Sequence, residues 1–239
     1  AQIGQYAENV FFGKPCGLMD QMAASVGGVV FIDFADRAHP VVERLDVDLH
    51  AHGYALCILD SGAGHEDLTD SYSAITEELR AVCGVFGKEV LREVPEEAFL
   101  ARLPRVRKAA GDRAVTRAFH VYGENRRARE EKQALARGDF EGFLALVRES
   151  GRSSAMYLQN IIPAGGVAEQ ALMVTIALCE RILEGRGAVR VHGGGFGGTA
   201  QAFVPLDRLD AFQKAVEAAL GQGCCHRVQI RPVGGVRLG

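Results

Sequence analysis

A run of glycines near the end of the chain constrains the fold more than any other feature. Five glycines fall within His192–Gly198, between two strand-like segments, Ala188–Val191 and Thr199–Pro205. A hairpin needs only a two-residue turn, so a run of this length indicates backbone brought close to another group. Glycine permits positive φ and can aim N–H groups at an anion, at a cost of roughly 0.5–1 kcal/mol per residue. Alone, the run favours a tight turn or a packing contact over a phosphate loop.

A second segment, Gly13–Gln21, joins a predicted loop to a predicted amphipathic helix. Asp20 lies in or next to the first turn of that helix. A carboxylate at this position stabilises the helix dipole by ~0.3–1 kcal/mol, and in isolation this structural role is the favoured interpretation. The glycine run and the carboxylate are nevertheless a pair of features that one site would explain together.

The composition is typical of a globular protein. Of the 239 residues, 48% are apolar and 24% are charged, and the formal net charge is −3. This charge gives no basic face for nucleic acid, and no apolar run approaches the ~18–20 residues that span a bilayer. The six cysteines and seven histidines lack metal-ligand spacing. We therefore expect reduced thiols, a cytoplasmic location and no zinc site.

Hydrophobic periodicity predicts helices flanking a small antiparallel sheet, and therefore the α+β class. The predicted helices are 2–9, 17–26, 66–86, 114–136, 139–151, 167–183, short ones starting at Pro95 and Pro104, and a last one capped by Asp207. The predicted strands are 28–34, 40–45, 54–59, the two that flank the glycine run, and a closing edge strand with Val228, Ile230 and Val233. The continuous apolar run 54–59 is typical of a central strand.

Several motifs occur in an order that matches a known family. They are Cys16-Gly17-Leu18-Met19-Asp20-Gln21, a strand ending at Asp33, the segment 60–72, Phe119-His120-Val121 with Glu124-Asn125 and Arg127, and Gly-Gly-Gly-Phe-Gly-Gly at 193–198. Together they resemble galactokinases, members of the GHMP kinase family, and the first and last motifs are the specific ones. The matches extend from Gln5 to about Val204.

The resemblance implies a kinase that transfers the γ-phosphate of ATP, with Mg²⁺ bridging the phosphates, to the C1 hydroxyl of galactose. It implies that Asp20 faces the reacting hydroxyl as catalytic and substrate-binding residue, with Tyr72 and Gly17 also at the sugar. The nucleotide-side active-site loop would comprise Gly193, Gly194, Gly195, Gly197 and Gly198. No protein residue is assigned to a metal. Residues 1–51 would end the family's N-terminal domain, and residues 52–239 would form its C-terminal domain, a ferredoxin-like sandwich.

Some residues keep two interpretations. Tyr72 also fits the buried face of its helix, and this role and sugar contact are equally supported. Asp33 is favoured as a strand end, with sugar contact as its second role. Arg190 is interpreted as structural, and Asn125 and Arg127 as a polar helix face packed on a domain interface.

The chain also departs from the family pattern. Ser73-Ala74-Ile75-Thr76 replaces basic residues after the tyrosine, and residues 159–166 replace a Cys-Pro-Glu-Leu-Asp run. The family's early sugar motif and phosphate loop do not occur, and the chain begins Ala1-Gln2. We therefore expect the later part of a longer protein, inactive and without tight ATP binding by itself. The alternatives are a non-catalytic sugar sensor or regulator and a GHMP kinase for another sugar. Unpaired strand edges within 28–45 predict self-association of the chain.

Overall fold

The protein is described by a computed structural model that covers residues 1–13, 16–36, 38–63 and 68–236. Its helices are α1 (Gln2–Tyr6), α2 (Met19–Val26), α3 (Thr69–Gly84), α4 (Glu96–Ala101), α5 (Leu103–Ala110), α6 (Asp112–Ala136), α7 (Phe140–Ser153), α8 (Ala171–Leu183) and α9 (Leu209–Leu220). Its strands are β1 (Val29–Asp33), β2 (Val41–Leu45), β3 (Tyr54–Asp60), β4 (Ala188–Val191), β5 (Thr199–Pro205) and β6 (Cys225–Val228). The structure is therefore α+β, as the periodicity predicts. Lys14 and Pro15 of the predicted loop, and Glu66 and Asp67 of the predicted helix start, lie outside the described residues.

The main sheet has the strand order β4-β5-β3-β6, with antiparallel pairing throughout. Strand β3 pairs with β5 on one side and with β6 on the other, which confirms the prediction of a central strand. Strands β1 and β2 form a separate antiparallel pair. Strand β6 begins at Cys225, directly after Cys224.

The largest core lies between one face of the main sheet and helices α8 and α9. Side chains of all four strands contribute to it, together with apolar residues of both helices: Cys57, Leu59, Val191, Ala202, Val204, Cys225, Leu172, Cys179, Leu183, Phe212 and Val216. A second apolar cluster is formed by helices α3, α4, α5 and α6, and it includes Val82 of α3 and Phe99 of α4. Burial of apolar surface stabilises a fold by ~25 cal/mol per Å². The burial in these clusters therefore holds together the sheet and helices that carry the candidate site.

Three predicted details are wrong at element ends. Helix α8 begins at Ala171 and not at Val167, which is 87% exposed. The chain turns at Gly165 and Gly166, and the side-chain amide of Gln170 donates to the carbonyls of Gly166 and Val167, which holds the turn just before the helix. Asp207 caps no helix: it pairs with Arg186 at 2.9 Å. The last strand ends at Val228, before Ile230 and Val233.

The chain leaves the sheet after Val228 because it returns to the N-terminal part. The Gly28 amide donates to the Arg231 carbonyl at 2.8 Å, and the Gly235 amide to the Ser25 carbonyl at 3.0 Å. A Cβ on Gly234 would lie 1.9 Å from the Ser25 oxygen, so only glycine allows this approach. The domain boundary at residue 51 stays a prediction.

Apolar side chains of the first elements are open to solvent. Ile3 is 86% exposed, Phe11 78% and Phe12 81%. Among the described strands β1 pairs only with β2, so its other edge carries unpaired backbone groups. Both features fit the predicted self-association, which stays a prediction. No helix within the described ranges is long and apolar enough to cross a membrane.

Helices α6 and α7 enclose a network of charged groups. Glu124 accepts from Nε and Nη2 of Arg127, at 2.9 and 2.6 Å, from the Ser150 hydroxyl, and from Arg190 at 3.5 Å. Burial opposes ionisation of Glu124, but the bonds from Ser150 and Arg127 hold its pKa below its usual value. Arg190 is thus structural, as predicted. Arg127 is buried while Asn125 is exposed, so the two do not share a polar face.

Glu131 is half-buried near this network and has a raised pKa. Burial, together with the negative charge of Glu124, raises the pKa of Glu131 from 4.5 to about 7. Below pH ~4 the carboxyl is protonated in both the folded and the unfolded state, so it does not change the free energy of unfolding. As the pH rises toward 7, the unfolded state loses this proton first, so the folded state loses stability.

We expect Glu131→Gln to raise the free energy of unfolding at pH 8 by ~1–3 kcal/mol and to leave it unchanged at pH 4. Urea unfolding at both pH values measures this. Glu130→Gln is the control, because the Glu130 side chain is 45% exposed and its contact with Arg126 is 4.0 Å long. An equal effect of Glu131→Gln at both pH values would contradict the pKa assignment.

Candidate active site

The glycine run forms the connection between β4 and β5, where the sequence places it. Gly193, Gly195 and Phe196 have left-handed φ values of 68°, 88° and 62°, and Gly198 has φ 155°. Phe196 holds this conformation although it is not glycine, and its side chain is buried. A two-residue hairpin turn requires left-handed φ at no more than its two central residues, so this longer loop is held by contacts with other parts of the chain.

Asn160 holds the loop from one side. The Phe196 amide donates to the Asn160 carbonyl at 2.6 Å, and the Asn160 side-chain Nδ2 donates to the Gly194 carbonyl at 3.1 Å. A Cβ on Gly195 would lie 2.0 Å from the Asn160 carbonyl oxygen. Glycine is therefore required at 195 by a packing contact, one of the two interpretations that the sequence alone favours.

Tyr72 of α3 holds the loop from the other side. Its hydroxyl donates to the Gly195 carbonyl at 2.9 Å, and its ring packs edge-on against Phe196 with centroids 5.2 Å apart. A Cβ on Gly194 would lie 2.5 Å from the Tyr72 ring. Tyr72 is 40% exposed, so its interpretation as a buried core aromatic is wrong. Partial burial raises the pKa of Tyr72, which keeps its hydroxyl a donor.

Asp20 lies close to the start of the glycine loop. It is the second residue of α2, and its exposed side chain makes no capping hydrogen bond. His192 opens the loop and contacts the Thr199 hydroxyl at 3.0 Å. Burial and then the charge of Arg190 lower the pKa of His192, and the negative charge of Asp20 partly opposes them. The two sequence motifs therefore meet within electrostatic range.

Gly17 has no structural need to be glycine. Its φ is not left-handed, and a Cβ built on it would meet nothing within 4 Å. It is exposed, in the loop that leads into α2. A side chain at this position would occupy open space beside the first turn of α2.

Asp33 is placed as the end of β1. It accepts from the Ala35 amide at 2.9 Å and from Arg92 at 3.0 Å. Partial burial acts to raise its pKa, but these two bonds outweigh it and hold the pKa of Asp33 below its usual value. Both carboxylate oxygens are thus occupied by protein groups, which fits the strand-end role.

Sequence reasoning missed two residues that shape the loop. Asn160 is 3% exposed, and its Oδ1 has no hydrogen-bond partner in the described part of the chain. Ser61, just after β3, donates from its amide and hydroxyl to the Gly198 carbonyl, at 3.1 and 2.6 Å. The departure of segment 159–166 from the family pattern pointed to the region of the first, and the matching segment 60–72 contains the second without indicating its contact with the loop.

The described residues offer no protein-only metal centre. Among them, no group of three or more His, Cys, Asp or Glu side chains is placed to hold an ion. Two loop amides are also committed within the protein, since Phe196 donates to Asn160 and Gly197 to Gly195. The loop can therefore support a phosphate site, but it offers fewer free donors than a complete phosphate cradle.

The clamp between Asn160 and the glycine loop predicts unequal effects of two alanine substitutions. Gly193 and Gly195 both have left-handed φ, but a Cβ on Gly193 meets nothing within 4 Å. Gly193→Ala should cost about 1–2 kcal/mol of unfolding free energy, and Gly195→Ala roughly 1–3 kcal/mol more. Urea unfolding followed by circular dichroism measures both. Equal losses would show that Asn160 does not constrain the loop.

Comparison with known proteins places these features in a family context. No protein-family model matches the chain. The galactokinase of Glaesserella parasuis is 30% identical over 216 residues, covering 90% of this chain and 53% of that protein. The galactokinase of Thermotoga neapolitana is 34% identical over 216 residues, covering 90% and 56%. The chain spans about half the length of the curated relatives it matches.

Solved structures agree with the sequence matches. Lactococcus lactis galactokinase, solved with galactose, superposes with a TM-score of 0.75 and 26% identity, over 99% of this chain and 60% of that one. L. major mevalonate kinase, solved with R-mevalonate, shares the fold at a TM-score of 0.54 and 13% identity, over 90% and 53%. The chain is therefore homologous to galactokinases over most of its length and has the fold of GHMP kinases.

Proposed function

We propose that this chain supplies the C-terminal side of the active site of a galactokinase-type sugar kinase. The observation that carries the proposal is that Asp20 lies within electrostatic range of His192, at the start of the glycine loop that Tyr72 and Asn160 hold in place. Homology to galactokinases supports galactose as the substrate and ATP as the phosphate donor. Since the chain spans about half of these relatives, the phosphate-binding loop of the proposed enzyme would lie outside the matched part.

In the proposed reaction, the C1 hydroxyl oxygen of the sugar attacks the γ-phosphorus of ATP. The bond from that phosphorus to the bridging oxygen breaks, ADP leaves, and galactose 1-phosphate forms. A free aspartate has a pKa of ~3.9 and is a weak base toward an alcohol. In a loose transition state, Asp20 would therefore mainly orient the hydroxyl and accept its proton late. Both roles need the carboxylate to face the sugar.

Tyr72 and Gly17 would complete the sugar side of the site. The Tyr72 hydroxyl donates to Gly195, which leaves its oxygen lone pairs free to accept from a sugar hydroxyl. Gly17 would allow the sugar to approach the backbone beside α2, because no atom of the described residues fills the space where a side chain would stand. Close approach of a ligand is a common reason for a glycine whose own structure does not require one.

Mg²⁺ would reach the site on the ATP phosphates. Magnesium commonly keeps several waters and binds through substrate phosphates with one or two carboxylates. When bound, the ion would neutralise charge on the transferring phosphoryl group. The six cysteines form no disulfide with one another, which fits a cytoplasmic enzyme.

Two alternative functions are each supported by a departure of the sequence from the family pattern. A sugar sensor without turnover is favoured by segment 159–166, which replaces the family's Cys-Pro-Glu-Leu-Asp run. A kinase for another sugar is favoured by Ser73–Thr76, which replaces basic residues next to Tyr72. Measuring ADP release by the full-length protein with galactose, glucose, mannose and N-acetylgalactosamine separates the three. Binding of galactose without ADP release would support the sugar sensor. ADP release with one of the other sugars, but not with galactose, would support a kinase for another sugar.

In the full-length protein, we expect Asp20→Asn to lower turnover by ~10²–10⁴-fold. Its stability should change by at most about 1 kcal/mol, the value of the helix-dipole interaction, and sugar affinity by a few-fold. The control is Asp210→Asn, since Asp210 is also an exposed carboxylate in the first turn of a helix. A variant Asp20→Asn that keeps more than about a tenth of the parent rate falls outside the range for a lost catalytic group.

Gly17→Ala tests the sugar side of the proposal. The variant should keep the stability of the parent protein within ~0.5 kcal/mol and raise the KM for the sugar at least about tenfold, or 1.4 kcal/mol. Gly235→Ala is the matched control, because Gly235 also has ordinary φ and open space around its Cβ position. An unchanged KM in Gly17→Ala would remove Gly17 from the sugar site.

A further inference from the structure

A cavity of about 360 Å³ lies between α3, α6, α8 and the segment after α7. Among the described residues its apolar side includes Ile161, Ile162, Met173 and Phe196. Cavities that bind small molecules typically measure ~300–1,000 Å³, are mostly apolar and carry a few convergent polar groups. Neither Asp20 nor Gly17 nor Tyr72 is part of this described lining, so the cavity is separate from the proposed sugar site.

Arg117 of α6 brings a buried positive charge to the cavity wall. Its side chain is 2% exposed. Nε donates to the Leu158 carbonyl at 3.0 Å, and Nη1 donates to Glu78 at 2.8 Å. Nη2 has no acceptor within the described part of the chain. A guanidinium can make five hydrogen bonds, so this buried group keeps donors for a ligand.

The ion pairs around Arg117 leave one positive charge in excess. Arg113 also binds Glu78, through Nε at 2.9 Å and Nη2 at 2.6 Å. One carboxylate therefore serves two guanidinium groups on the same wall. Burial lowers the pKa of Arg117, Glu78 opposes this effect and Arg113 adds to it. Asp70 also lines the cavity. The side chains of Asp70 and Arg113 are both exposed to solvent, which screens their charges, so the buried positive charge at the wall is that of Arg117.

Gln159 adds a strained residue to the same wall. Its φ of 57° is left-handed, a conformation that costs a non-glycine residue about 1–2 kcal/mol. Its amide donates to the Ser154 carbonyl at 2.8 Å, and its Nε2 to the Thr116 hydroxyl at 3.4 Å. Strained backbone of this kind is concentrated at ligand-binding and active sites. Segment 159–166, which differs from the family pattern, thus builds part of this cavity.

We infer that the cavity binds a small organic anion, a carboxylate or phosphomonoester on a compact apolar body. The acidic group would accept from Nη2 of Arg117 and balance the excess charge that it shares with Arg113. The apolar body would lie on Ile161, Met173 and Phe196. Charge-assisted bonds to guanidinium are among the stronger hydrogen bonds in proteins. This site does not depend on the proposed kinase activity.

An occupant would also contact the glycine loop, through Phe196. Phe196 lines the cavity, while its amide bonds Asn160 and its ring packs on Tyr72. A molecule packed against the ring would favour the loop conformation in which these contacts form. The site is thus suited to an effector whose binding changes the order of the loop.

Calorimetric titration of the 239-residue chain tests the site with three probes. Phenyl phosphate and phenylacetate carry the two acidic groups, and benzyl alcohol is the neutral control. We expect saturable binding of at least one anion, at least about tenfold tighter than that of benzyl alcohol, as for one charge-assisted contact. The anion that binds more tightly identifies which acidic group the site prefers. Absence of saturable binding by both anions, or equal binding of benzyl alcohol, would overturn the inference.

Two substitutions locate the binding while keeping Arg117 and the fold. Arg113→Ala removes the excess charge, so anion affinity should fall at least about fivefold, as for one charged hydrogen bond. Arg107→Ala is the matched control, since Arg107 is likewise exposed and paired with one carboxylate, Asp112. Ala74→Leu fills the cavity from α3 without changing charge, and should abolish binding. Equal affinities of the two arginine variants, or unchanged affinity in Ala74→Leu, would exclude this cavity as the site.

Discussion

The close approach of two backbone segments, at Gly195 and Asn160, is the contact on which the candidate site depends. The carbonyl of Asn160 receives the Phe196 amide and occupies the space where a side chain on residue 195 would stand. Tyr72 closes the other side through the Gly195 carbonyl. Loops of several glycines are conformationally costly, so fixed contacts on both sides are what give this loop one shape.

Helix α6 links that loop to the rest of the molecule through buried charge. Glu124 joins Arg127 of the same helix to Ser150 of α7 and Arg190 of β4, the strand that leads into the loop. Breaking one partner of such a network leaves an uncompensated buried charge, which costs far more than an exposed pair contributes. The direction of β4, and hence the starting point of the loop, is therefore tied to the packing of α6 on α7.

Local patterns account for most elements but not for their long-range partners. The strands Ala188–Val191 and Thr199–Pro205 match the prediction because the glycine run marks the end of the first and the start of the second. Helix α8 starts late because Gln170 uses its side chain on a turn, a choice that hydrophobicity does not reveal. Asn160 escaped prediction because its partners are backbone groups far along the chain. The position of Asp20 was predictable from its helix start, whereas its proximity to His192 required the fold.

The contact between residues 25–28 and residues 231–235 has a consequence for how the protein is made. Ser25 and Gly28 can form these hydrogen bonds only after the ribosome has added almost the whole of the intervening chain. At synthesis rates of ~5–20 residues per second, this wait lasts tens of seconds. Residues 25–28 therefore lack these partners for most of the time that the chain takes to be made, and the N-terminal part completes its packing last.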